Sequence, residues 1–106
     1  MPKYLFSGSY TLDGVRGLLK DGGSRRQAAA KRAIESVGGK LEAFYFTFGG
    51  GDVVGIADVP NNVSMAGLSL AISSGGGFGL KTTVLLTPRD IDRAVKKAVK
   101  YRAPGK

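Results

Sequence analysis

The chain has 106 residues, with 42% hydrophobic and 23% charged, so composition and length fit one globular domain, residues 1–106, with one modest core. Sixteen Lys and Arg against eight Asp and Glu leave a net charge of +8, and with no histidine or cysteine there is no imidazole base, triad, thiolate nucleophile, zinc–thiolate site or disulfide. The lack of cysteine fits a reducing compartment, so a cytoplasmic location is expected, and with neither an apolar run of about 18 residues nor a secretory leader, no membrane partner is expected.

Lys3 to Tyr10 is rich in aromatics and reads as a first strand, with Thr11 placed to cap a helix. Leu12, Val15, Leu18 and Leu19 recur at helical spacing until Gly22-Gly23 interrupts them. Ser24 with Gln27 three residues on predicts a capping box restarting the helix, whose stripe is Ala30, Ala33, Ile34 and Val37 and whose end is Gly38-Gly39. Lys40 to Phe48 and Asp52 to Val59 read as strands of an antiparallel hairpin joined through Gly49-Gly50-Gly51. Pro60-Asn61-Asn62 opens a helix carrying Met65, Leu68, Ala71 and Ile72, closed by Gly75-Gly76-Gly77. Leu80 to Leu86 is the fourth predicted strand. Thr87-Pro88-Arg89-Asp90 then gathers three helix-start signals before a last stripe of Ile91, Ala94, Val95 and Ala98, with Pro104-Gly105-Lys106 as a frayed tail.

The order is β-α-β-β-α-β-α: an α+β, ferredoxin-like split β-α-β arrangement with an extra C-terminal helix. Such a sheet has helices on one face only, so a monomer should alternate apolar and polar residues along its strands. These strands do not. Phe44, Phe46 and Phe48 oppose Leu41, Ala43 and Tyr45; Val54 and Ile56 oppose Val53, Gly55 and Ala57; Val84 and Leu86 oppose Leu85. Two apolar faces predict a homodimer or larger assembly, unless the C-terminal helix folds over the second face within the chain.

Pro2-Lys3-Tyr4 with Tyr10-Thr11, Gly38-Gly39-Lys40-Leu41, Phe48-Gly49 before Asp52-Val53-Val54, and Lys81-Thr82-Thr83-Val84-Leu85-Leu86-Thr87 together resemble the GYD-domain family over nearly the whole chain. The resemblance implies a small prokaryotic protein similar to the dimeric α/β-barrel group, built from ferredoxin-like halves, and it names no activity. The family's Gly-Tyr-Asp falls on Gly50, Gly51 and Asp52, so glycine stands where the tyrosine would be.

Each candidate site residue has a structural reading beside a functional one. Asp52, after three glycines, either orients a ligand or holds a neighbouring backbone, the second being favoured. Tyr4, Tyr10 and Tyr45 offer apolar bodies with one polar tip, suited to a cavity and equally to a core or interface. Pro2 would be a base only with its nitrogen free, and behind Met1 that nitrogen is an amide. Gly75-Gly76-Gly77-Phe78-Gly79 precedes a strand and lacks the Lys and Ser/Thr of a phosphate loop. Arg16, Lys20, Arg25, Arg26, Lys31 and Arg32, and again Arg89 through Arg102, form basic clusters without interleaved aromatics, so nucleic acid is not an expected partner.

The expectation is therefore a self-associating domain that needs no cofactor or metal. It would bind a small ligand between sheet and helices or at the subunit interface, with Asp52, Tyr4, Tyr10 and Tyr45 as candidate contacts. The balance leans against an enzyme. One alternative, resting on fold analogy, is a cofactor-free oxygenase, isomerase or lyase using Asp52 and the tyrosines. Another is a basic, weak and non-specific nucleic-acid binder.

Overall fold

In the computed structural model, which describes residues 1–106, the aromatic opening segment is strand β1, Lys3–Tyr10. Thr11 caps helix α1, Leu12–Asp21, by accepting from the Gly14 N–H at 3.2 Å. Helix α2, Gly23–Ser36, follows after one residue. The capping box predicted from Ser24 and Gln27 does not form. Gly22 itself is the N-cap, with φ +79° and no side-chain cap, and its N–H closes α1 on the Leu18 carbonyl at 2.7 Å. A single glycine turns the chain between the two helices, which puts Ser24 inside the first turn, past the capping position.

Strands β2, Lys40–Phe46, and β3, Val53–Asp58, make the predicted hairpin, both shorter than the sequence suggests. Helix α3, Asn62–Ser74, is capped by the Asn61 side chain accepting from the Ser64 N–H at 2.8 Å. Strand β4, Phe78–Leu85, begins two residues ahead of expectation, paired with β1 from Tyr10↔Phe78 onward. Helix α4, Pro88–Ala94, starts with a complete capping box between Thr87 and Asp90. It stops short of Val95 and Ala98. Helices owe most of their stability to packing of an apolar face, and here Val95, Val99 and Tyr101 are each 76% exposed. With this unpacked C-terminal segment the radius of gyration is 17.0 Å, against roughly 13 Å for a compact chain of this length.

The sheet order is β2-β3-β1-β4, antiparallel throughout, which is the ferredoxin-like topology with α4 added. Tyr4 and Phe6 of β1, Val53 and Ala57 of β3, Val59, Ile34 of α2, and Met65 and Leu68 of α3 form the buried core. Gly55 belongs to it through what it lacks: a Cβ there would sit 2.3 Å from the Phe6 ring and 2.7 Å from the Ala43 carbonyl oxygen. A register shift between Leu41 and Ala43 corrects the predicted alternation of β2. Leu41 pairs with Ala57 and Phe44 with Gly55, so Leu41 joins the phenylalanines on the helix side, and Ala43 and Tyr45 share the other face with Ile56 and Val54.

That other face carries Leu5, Ala43, Val54, Ile56 and Leu85 together with Ser7, Lys81 and Thr83, beside an ion-paired group at one end. There Lys3 Nζ contacts Glu42 at 2.6 Å and Asp58 at 2.9 Å, and these bonds, Glu42 first, raise the Lys3 pKa above its ordinary value. Helix α4 does not cover this face; all its residues but the half-buried Asp90 are exposed.

Candidate functional site

The fold leaves a cavity of about 140 Å³ between the helices and the central strands, 13 of whose 14 lining residues are hydrophobic. Its origin lies in α2. That helix turns Ala29, Ala30 and Ala33 toward the sheet, and α3 offers Met65, Leu68 and Ile72 from the other side. Methyl-sized side chains on one wall cannot reach the larger ones opposite, so a void remains where a longer aliphatic residue would have closed the core. The floor is aromatic, with Phe6, Phe44 and Phe78 beneath, and Phe6 and Phe44 lie 6.4 Å apart between ring centroids.

Two polar-tipped residues reach this cavity. Tyr10, at the end of β1, packs edge-on against Phe78 with centroids 5.0 Å apart. Arg26, on the first turns of α2, is the one charged lining residue. Tyr10, Arg26, Ile72 and Phe78 also border an adjoining surface cleft lined by Gly14, Gly17, Asp21, Gly75 and Gly77, so the cavity has its mouth on that side. Asp21 stands at the mouth 3.7 Å from the Arg26 guanidinium, beyond hydrogen-bonding distance.

The residues singled out from the sequence fall in three places. Tyr10 lines the cavity. Asp52 lies next to it through the backbone: its carboxylate accepts from the Tyr10 N–H at 2.8 Å, its own N–H donates to the Gly8 carbonyl at 3.0 Å, and its carbonyl accepts from the Thr47 N–H at 2.9 Å. The first two bonds tie the β2–β3 turn to the end of β1, where β3 no longer pairs with it, and the third closes the turn on itself. Tyr4 is 1% exposed, and its hydroxyl donates to Asn62 Oδ1 at 2.5 Å, fixing the start of α3 over the sheet. Tyr45 lies on the opposite sheet face and is exposed. The four candidates thus do not converge on one site. Arg26 and the alanines of α2, which do meet at the cavity, stand together as Arg25-Arg26-Gln27-Ala28-Ala29-Ala30, a run that reads from sequence as an ordinary helix.

A family model of the GYD domain matches residues 4–95, from the first core residue of β1 to the residue after α4. The chain belongs to the GYD-domain family. Comparison with curated proteins finds no match, and comparison with solved structures finds none either. Within this GYD domain the β2–β3 turn contains Gly51 at φ +79°, followed by the Asp52 staple. A residue other than glycine is strained at that angle, so the turn as built here favours the glycine it has.

Proposed function

We propose that this GYD domain is a self-associating binding module that takes up a small apolar molecule between its sheet and helices. The observation that carries the reading is the 140 Å³ cavity with its nearly all-hydrophobic lining. An apolar void of about 150 Å³ is large enough to admit benzene. Water in such a void would lack hydrogen-bonding partners, so an apolar guest gains the contacts that the alanine wall leaves unmade. The test is titration of the intact protein with neutral benzyl alcohol, followed by NMR. Shifts confined to the cavity residues, and lost in Ala30→Leu, support the reading; no saturable shift refutes it.

Self-association rests on the uncovered sheet face. Four strands of about seven residues span roughly 23 by 19 Å, a modest patch beside the ~800 Å² per partner of a standard stable interface. With Leu5, Val54 and Ile56 at its centre and Leu85 on its edge strand, that patch supports a dimer in the micromolar range. Sedimentation equilibrium at tens of micromolar should give a mass above the 11.0 kDa of one chain. A monomer there refutes this part of the proposal and leaves the cavity untouched.

A further inference from the structure

We infer that the ligand of the cavity is an aromatic monocarboxylate, its ring among the phenylalanines and its carboxylate on Arg26. The inference rests on the binding role proposed above and adds the chemistry of the ligand. The walls are apolar, and the mouth holds one cation. The Arg26 guanidinium makes no hydrogen bond within the protein. Its one acidic neighbour, Asp21, stays at 3.7 Å, and both side chains are more than a third exposed, at 39% and 36%. Arginine presents a planar fork of N–H donors that matches a carboxylate in a two-point arrangement. A cation whose stem lines an apolar cavity, and whose head at the opening makes only a loose ion pair with Asp21 and no hydrogen bond, suits a guest with an apolar body and one anionic end. The floor narrows the body. Phe6, Phe44 and Phe78 offer ring faces and edges, and Tyr10 is already edge-on to Phe78, so a single aromatic ring matches both the shape and the volume. A second negative group has no counterpart, because Asp21 is at the same mouth and repels it.

The experiment compares benzoate with benzyl alcohol on the full chain by NMR titration at low salt. Benzoate is expected to bind about tenfold more tightly, the scale of a charge-assisted bond discounted for a partly exposed site. Arg26→Met should weaken benzoate far more than benzyl alcohol, bringing their affinity ratio from about ten to about one, and Asp21→Asn should tighten benzoate a few-fold by removing a competing carboxylate. Arg26→Lys, which keeps charge and loses the fork, should fall between. Equal affinities for the two compounds, or benzoate affinity unchanged in Arg26→Met, overturns the carboxylate inference while the cavity reading stands. Saturation by neither compound overturns both.

Discussion

Gly51 offers the sharpest test of how the Asp52 turn is built. Its φ of +79° lies where an L-residue is strained, yet the space around it is open: a Cβ would find the Gly8 oxygen at 3.7 Å and Thr47 Oγ1 at 4.0 Å. The cost of adding a side chain is therefore conformational, about 1–2 kcal/mol. It should be nearly the same for Gly51→Ala and for Gly51→Tyr. Gly50 is the internal control. It has no positive φ, and nothing lies within 4 Å of where a methyl would stand, so Gly50→Ala should change stability by no more than about 0.5 kcal/mol. Urea unfolding at one fixed protein concentration separates the two positions, since self-association would otherwise shift the midpoint. On heating, the Gly51 variants should melt roughly 4–15 °C lower. If Gly51→Tyr is as stable as Gly50→Ala, the turn does not require glycine and the strain argument fails.

Two further outcomes follow from packing and capping. Gly55→Ala places a methyl 2.3 Å from the Phe6 ring and 2.7 Å from a backbone oxygen, and should lose about 1–3 kcal/mol, measured by the same unfolding; a neutral result would mean that Phe6 and β2 yield freely. Asp90 is held below the usual carboxylate range, chiefly by the Thr87 backbone N–H, next by the Thr87 side chain, and then by Arg93. A lowered folded pKa means that its support of α4 is present above the ordinary value of 3.8 and is lost as pH falls through the lower folded value. Thr87→Ala removes the side-chain contribution and keeps the backbone N–H, so an NMR titration should show the Asp90 pKa rising part of the way toward 3.8, and no movement would refute the side-chain part of the capping account.

The strands, α3 and the α4 cap were readable because each is written in local chemistry: Asn61 and Thr87 as caps, the aromatic run of β1, and the glycines of the β2–β3 turn. The two failures at helix ends have a common cause. The Ser24–Gln27 pattern lost to the one-residue turn at Gly22, and the stripe through Ala98 lost its helix for want of a surface to pack on. Neither constraint lies within the segment itself. The β2 register was hidden for a similar reason. An extra residue near Glu42 reassigns Leu41 to the helix side, and no alternation count reveals a bulge. The cavity was least readable of all, because it depends on the reach of side chains across two helices distant in sequence. Alanine at 29, 30 and 33 is a sound helix former by itself, and its shortness matters only opposite Ile72 and Leu68.

The polar groups at the cavity argue for binding over proton-transfer chemistry. A general acid or base must exchange a proton near the working pH and must reach the guest. Tyr4 is turned to Asn62 and Asp52 to the Tyr10 backbone, so the groups best suited to that work are engaged in holding α3 and the β2–β3 turn. The Arg26 guanidinium offers five N–H donors and no acceptor, which suits it to holding an anion and not to accepting a proton. Only the Tyr10 hydroxyl combines a place on the cavity wall with exchangeable chemistry, and its ring is committed to Phe78. In this reading Asp52 is a structural staple for the strand that ends in Tyr10. Removing it should loosen Tyr10 and the mouth of the cavity together, because one 2.8 Å bond joins them.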